Sequence, residues 1–131
     1  MTQLFTSLFI IALLPFIAKL PLVLAMNKES GGYNNKYPRQ QQANLKGFGL
    51  RANAAHYNSF EALIVYIFAV VCVIQNQTID TLTVTLAWVF VASRVLYLIC
   101  YWFDKASLRS VIWITGMIAA FVMAGRAIWG N

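Results

Sequence analysis

Four apolar segments, each long enough to cross a lipid bilayer, constrain the fold of this chain more than any other feature of its sequence. They run from about residues 4 to 26, 51 to 74, 82 to 103 and 108 to 129. A membrane-spanning helix needs roughly 20 apolar residues, and each segment supplies that length. The composition agrees, because only 11% of the residues are charged, whereas soluble domains average about 25%. The sequence predicts an all-α, integral membrane four-helix bundle that forms a single domain over residues 1–131.

The basic residues predict how the chain crosses the membrane. No lysine or arginine precedes the first segment, so we expect an uncleaved helix rather than a signal peptide, although Val23-Leu24-Ala25 resembles a cleavage site. Basic residues favour cytoplasmic loops, which places residues 27–50 and the turn at residues 104–107 in the cytoplasm and both termini outside. We expect no nucleic-acid partner despite the net charge of +6, because the basic residues flank apolar segments. Those that follow the first segment are Lys28, Lys36, Arg39, Lys46 and Arg51.

The long polar segment at residues 27–50 is predicted to be a loop without a helix of its own, and loops of this length are often functional. Arg39 is a candidate anion contact there, and a contact with lipid headgroups is the alternative. Lys19 lies inside the first apolar segment. We expect its side chain to extend towards the headgroups, with a position lining a polar site as the alternative.

The two cysteines, Cys72 and Cys100, both lie inside apolar segments. Neither has the spacing of a metal ligand. We therefore expect both to pack as small apolar side chains, and we expect no metal site.

The second and third segments carry polar residues that a membrane interior accepts only when they have a partner or face water. At about 100° per residue, Asn58 and Glu61 share one helix face with Arg51, whereas His56 points away from that face. On the third segment Arg94, Tyr97, Tyr101 and Asp104 also share one face. Glu61 and Arg94 each lie roughly 15 Å from the cytoplasmic end of their helices. Equal depth predicts a Glu61–Arg94 pair, which either binds a ligand or has a structural role only.

The start of the fourth segment carries Arg109 and Ser110. Arg109 marks the cytoplasmic boundary of the membrane in one interpretation. In the other, a guanidinium and a hydroxyl at a helix N-terminus form an anion or thiolate site. Ser107 is the predicted N-cap of this helix, and Arg126 is predicted to anchor its outer end.

The polar groups together predict a cytoplasm-facing cavity that suits a small zwitterionic ligand bearing carboxylates and an amine. The groups that we expect there include cations, hydroxyls, an amide and a carboxylate. They belong to Arg39, Arg51, Arg94, Arg109, Tyr97, Tyr101, Ser110, Asn58 and Glu61.

The segment Arg51-Ala-Asn-Ala-Ala-His-Tyr-Asn58-Ser-Phe-Glu61 resembles the hallmark of the MAPEG family, membrane-associated proteins in eicosanoid and glutathione metabolism. That hallmark is an entry rich in arginine and alanine followed by Asn-x-x-Glu on the second helix. Residues 35–39, Asn-Lys-Tyr-Pro-Arg, are similar to the loop of bacterial members, so we expect a bacterial inner-membrane location. Arg94-x-x-Tyr97-x-x-x-Tyr101 and Arg109-Ser110 match the family in type and order.

The resemblance implies a homotrimer that binds glutathione between neighbouring subunits near the cytoplasmic side. It implies that Asn58 and Glu61 hold polar groups of glutathione and that Tyr101 contacts it. Arg109 and Ser110 would lie near its sulfur, where they would favour the thiolate nucleophile. A lipophilic small-molecule substrate would enter from the membrane lipid.

Two departures from the resemblance leave the activity open. Ala54 stands where several glutathione-using members carry arginine, and Tyr97 stands where some carry histidine. The first hypothesis is a glutathione-dependent membrane transferase or peroxidase. The alternative is a non-enzymatic protein of the same fold that binds another small ligand or serves in assembly. A small drug–proton exporter, the third hypothesis, is disfavoured because Arg94 would neutralise Glu61.

Overall fold

The computed structural model describes residues 1–130, and within them the chain forms five α-helices and no strands. Four of the helices are long and apolar enough to span a membrane. The five helices are α1 (Thr2–Asn27), α2 (Pro38–Asn44), α3 (Phe48–Gln75), α4 (Thr81–Trp102) and α5 (Ala106–Trp129). The prediction of an all-α membrane fold with four spanning helices is confirmed.

Among the four long helices, α1 packs mainly on α3, and α4 packs mainly on α5. The hydroxyls of Ser7 and Tyr66 form a buried 2.6 Å hydrogen bond between α1 and α3. The Tyr66 ring stacks on Phe90 of α4 at a centroid distance of 4.5 Å. α3 contacts every other helix. It is therefore the central element of the bundle.

Small residues bring α4 and α5 close together. Gly116, Ala120 and Ala124 recur every four residues along α5 and are all buried. A Cβ atom added at Gly116 would clash with Ser93 Oγ and lie 3.2 Å from Ser93 Cβ on α4, so a larger residue would require Ser93 to shift. This four-residue spacing of small residues suits close packing of helices in a membrane.

The prediction that residues 27–50 contain no helix is wrong, because α2 lies within them. Pro38 occupies the first turn of α2, where its fixed φ angle and missing N–H favour helix initiation. The Gln41 side chain fixes the preceding loop, because its Nε2 donates to the carbonyl oxygens of Met26 (3.1 Å) and Gly32 (2.9 Å). Its Oε1 accepts a hydrogen bond from the Asn34 backbone N–H at 2.8 Å. These tertiary contacts stabilise a helix that is too short to be stable alone.

Two helix starts also differ from the prediction. α3 begins at Phe48, one turn before Arg51, after Gly47 with φ 56°, a conformation that glycine adopts at little cost. α5 begins at Ala106 with Lys105 as its N-cap, so the prediction that Ser107 caps this helix is wrong. The helix therefore begins two residues earlier than the N-cap pattern suggested, after Asp104 turns the chain with φ 57°.

We call the end of the bundle that carries α2 and the α4–α5 turn the basic end. At the opposite end, the Arg126 side chain does more than anchor α5. Its Nη2 lies 2.7 Å from a carboxylate oxygen of Asp80, the N-cap of α4, which also accepts a 2.7 Å hydrogen bond from the backbone N–H of Thr83. The Arg126 guanidinium, together with hydrogen bonds from the backbone and side chain of Thr83, holds the pKa of the Asp80 carboxyl well below its usual range.

Asp80→Asn is expected to make the protein less stable than the wild type at neutral pH but not in acid. A lowered folded-state pKa stabilises the protein above the unfolded value of about 3.9, and this stabilisation is lost as the pH falls through the lower folded-state pKa. Asparagine keeps a side-chain oxygen that can accept the capping hydrogen bond. The substitution therefore tests the loss of the negative charge alone. Thermal unfolding in detergent at pH 7 and below pH 4 measures the difference.

The matched control is Glu29→Gln, which removes a carboxylate that forms no ion pair within residues 1–130. It should leave the pH dependence unchanged. A gap between Asp80→Asn and the wild type that is constant from neutral pH into acid would contradict the prediction.

Candidate functional site

The carboxamide of the half-buried Asn58 bridges two ionisable side chains, the buried Arg94 and the exposed Glu61. Its Oδ1 accepts a 2.6 Å hydrogen bond from Arg94 Nη2, and its Nδ2 donates a 2.7 Å hydrogen bond to Glu61 Oε2. The structure thus brings Glu61 and Arg94 into one network at similar depth, as their spacing predicted. The direct Glu61–Arg94 ion pair is absent from the part of the chain described, because Asn58 lies between the two side chains.

Arg94 is the largest fully buried side chain, with 2% of its surface exposed. Its guanidinium stacks over the Tyr97 ring at 4.1 Å from the centroid. Its second terminal nitrogen, Nη1, has no hydrogen-bond partner within residues 1–130. A buried donor without a partner costs free energy, and this nitrogen carries such a cost in the protomer.

Two tyrosines connect Arg94 to the start of α5. The rings of Tyr97 and Tyr101 meet edge to face with a centroid distance of 5.3 Å. The guanidinium of Arg109 lies 4.1 Å from the centre of the Tyr101 ring. Ser110 lies beside Arg109, and its hydroxyl donates a 3.2 Å hydrogen bond to the Ala106 carbonyl oxygen. The hydroxyl oxygen keeps the capacity to accept a hydrogen bond.

Asn58, the two tyrosines, Arg109 and Ser110 line an open cavity of about 440 Å³ between α3, α4 and α5, within the size range of small-molecule sites. Arg94 and Glu61 adjoin this cavity through Asn58 but are not among its lining residues. One wall is polar and the other is apolar. Sequence reasoning missed the apolar wall, although Trp113 and Ile114 follow Arg109 and Ser110 by four residues and therefore share their helix face. The lining residues are Asn58, Tyr97, Tyr101, Arg109, Ser110, Trp113 and Ile114.

Arg51 lies at the basic end, outside the lining of this cavity. Its Nε donates a 3.1 Å hydrogen bond to the Tyr101 carbonyl oxygen, and its Nη1 lies 3.9 Å from an Asp104 carboxylate oxygen. A cation at the C-terminus of a helix is favoured by the unpaired carbonyls there. Arg51 therefore joins α3 to the last turn of α4 in this protomer.

Arg39 is not brought to the cavity either. Its Nη1 donates a 2.6 Å hydrogen bond to the hydroxyl of Tyr57, and Lys19 lies close enough to both to interact electrostatically. His56 is buried, with Nδ1 2.8 Å from the Pro15 carbonyl oxygen of α1. The prediction that His56 faces away from the Asn58–Glu61 stripe is confirmed.

The sequence matches the model of the MAPEG family over residues 3–129. No curated protein and no solved structure matches it. The MAPEG family includes glutathione-dependent transferases and peroxidases. With four membrane-spanning helices and a family match over nearly its whole length, the chain is an integral, multi-pass membrane protein that belongs to the MAPEG family.

Proposed function

We propose that this protein is a glutathione-dependent membrane transferase or peroxidase that acts on lipophilic electrophiles. The observation that carries the proposal is the cavity in which Arg109 and Ser110 lie beside the Asn58 carboxamide and the two tyrosines. Such a cavity combines anion recognition with an apolar wall. Glutathione and an apolar second substrate require both.

The polar wall matches the groups of glutathione, which carries two carboxylates, an ammonium group, two amides and a thiol. The free Nη1 of Arg94 would donate to a carboxylate, an interaction that charge-assisted hydrogen bonding strengthens. Glu61 would accept from the ammonium group, and Asn58 would contact an amide. Tyr97 and Tyr101 would supply hydroxyls to the remaining oxygens.

Arg109 and Ser110 would be the catalytic residues, because they would lie at the sulfur. A cation beside a thiol lowers its pKa and favours the thiolate, and Arg109 is the cation of this cavity wall. The thiolate attacks an electrophilic carbon, a C–S bond forms, and the leaving group departs with its electron pair. Trp113 and Ile114, 41% and 50% exposed, would contact the lipophilic substrate.

A homotrimer is part of the proposal. Two surfaces of the protomer, one acidic and one basic, support it. Glu61 is exposed on one surface of a single protomer, although it lies within a membrane-spanning helix. Lys19 and Arg39 lie near Tyr57, and neither cation forms an ion pair within residues 1–130. Contact between the acidic surface of one protomer and the basic surface of the next would build a closed ring. Arg39, and Arg51 at the rim, would then reach a ligand between subunits.

The proposed orientation is supported by the distribution of charge, and the proposed location is supported by the resemblance of residues 35–39 to the loop of bacterial members. The basic end carries Lys28, Lys36, Lys46 and Lys105, which favours the cytoplasmic side. We accordingly propose N-out and C-out topology, a site open towards the cytoplasm and a bacterial inner membrane as the location.

The second candidate function is a non-enzymatic protein that keeps this fold and binds another small ligand or serves in assembly. One observation favours it. Ala54 leaves the face of α3 without the arginine of glutathione-using relatives, and the nearest replacement, Arg51, already contacts Asp104 and the Tyr101 carbonyl.

Calorimetric titration of glutathione into the purified protein in detergent separates the two candidates. We expect saturable binding, with similar affinity for the analogue that carries a methyl group in place of the thiol, because carboxylate and amine contacts supply most of the binding. The absence of binding heat for glutathione would reject the transferase and favour the second candidate. Binding of the analogue alone would also contradict the proposed thiolate site.

A further inference from the structure

A second cavity, of about 490 Å³, opens on the surface of the bundle at its basic end, away from the Asn58 cavity. It lies between the last two turns of α1 and the first turn of α3. Its floor is apolar and its mouth carries two lysines. We call it the α1–α3 groove, and the residues used in the argument are Leu24, Ala25, Lys28, Lys46, Phe48 and Gly49.

The floor of the groove is formed by a close approach of the two helices. A Cβ atom added at Gly49 would lie 3.3 Å from the Ala25 Cβ and 3.1 Å from the Leu45 Cβ. Leu24 and Phe48 stand beside this contact and remain 62% and 41% exposed. Apolar side chains that are exposed on the membrane-spanning part of the bundle can contact the acyl chains of lipids.

The mouth of the groove carries a net positive charge. Lys28 caps the C-terminus of α1, and Lys46 lies two residues before the start of α3. Glu29 also lines the mouth, so the three ionisable groups sum to +1. Neither lysine forms an ion pair within residues 1–130, which leaves both ammonium groups available to an anion from outside the chain.

We propose that the α1–α3 groove is a binding site for one anionic phospholipid per protomer. The phosphate would lie between Lys28 and Lys46, and an acyl chain would lie along Leu24 and Phe48. The order of the two regions supports this occupant: the lysines lie just beyond the helix ends, at headgroup depth, and the apolar floor lies one to two turns deeper. A basic residue near an anionic membrane surface contributes about 1 kcal/mol to binding.

Native mass spectrometry of the purified, delipidated protein tests the site. Phosphatidylglycerol should bind at least about tenfold more tightly than phosphatidylcholine with the same acyl chains, at one lipid per protomer. Lys28→Gln/Lys46→Gln should abolish this preference. The control Lys36→Gln/Lys105→Gln removes the same charge from the same end of the bundle and should retain it.

Leu24→Ala tests the acyl-chain contact separately, because it shortens an exposed apolar side chain and adds no polar group to the membrane-spanning surface. The substitution should weaken the binding of both lipids and leave the ratio of their affinities unchanged. Equal affinity of the wild type for the two lipids would overturn the proposal. So would a loss of the preference for phosphatidylglycerol in the control that equals the loss in Lys28→Gln/Lys46→Gln. Thermal stabilisation by glycerol 3-phosphate equal to that by phosphatidylglycerol would also overturn it, because a soluble phosphate would then be the ligand.

Discussion

Arg109→Ala is expected to lower kcat/KM for conjugation of glutathione to an aryl halide by at least about a hundredfold, the loss typical of removing one preorganised electrostatic contact. The guanidinium lies over the Tyr101 ring at the cavity wall, where the proposed thiolate forms. Without it, the bound thiol keeps a higher pKa, and less thiolate exists at neutral pH. Glutathione affinity should fall much less, because other side chains hold the carboxylates and the amine.

The pH profile distinguishes this role from simple loss of structure. Activity of Arg109→Ala should recover partly as the pH rises, since hydroxide then removes the proton that the cation no longer helps to release. Arg126→Gln is the matched control, because it removes an arginine from the same helix at the opposite end of the bundle. Activity within a few fold of the wild type at pH 7, or an unshifted pH profile, would contradict the assigned role.

The membrane-spanning architecture is predictable from the sequence because it depends on apolar length, a property of each segment alone. The predicted second segment, 51–74, became Phe48–Gln75, and the predicted third, 82–103, became Thr81–Trp102. α2 was not predictable in this way. Its seven residues have no apolar periodicity, and contacts of Gln41 with the preceding loop stabilise it.

The candidate site was predictable in part for a related reason. Spacing along one helix shows which residues share a face, and it correctly grouped Asn58 with Glu61 and Arg94 with Tyr97. It does not show how far each helix is rotated towards its neighbour. That rotation places Asn58, rather than Glu61, against Arg94. It also directs Arg51 to the end of α4 and Arg39 to Tyr57.

The Asn58 bridge predicts a large effect on stability as well as on binding. Asn58→Leu is expected to lower the free energy of unfolding by about 1.5 to 3 kcal/mol, the usual contribution of a hydrogen bond to a charged group. The charged group is Arg94, which is buried and whose Nη2 donates a hydrogen bond to this carboxamide. Denaturant titration in detergent measures the loss, and glutathione binding should disappear with it.

The double variant Asn58→Leu/Arg94→Met determines whether the buried charge is the cause. Methionine removes the guanidinium together with its need for a partner, so the double variant should be more stable than Asn58→Leu alone. Glu61 is exposed at the protomer surface and should add little to the cost in either background. Recovered stability without recovered glutathione binding would show that Arg94 and Asn58 are retained for the ligand, because an apolar pair then supports the fold equally well. Equal instability of the two variants would instead show that the bridge matters through packing of α3 against α4.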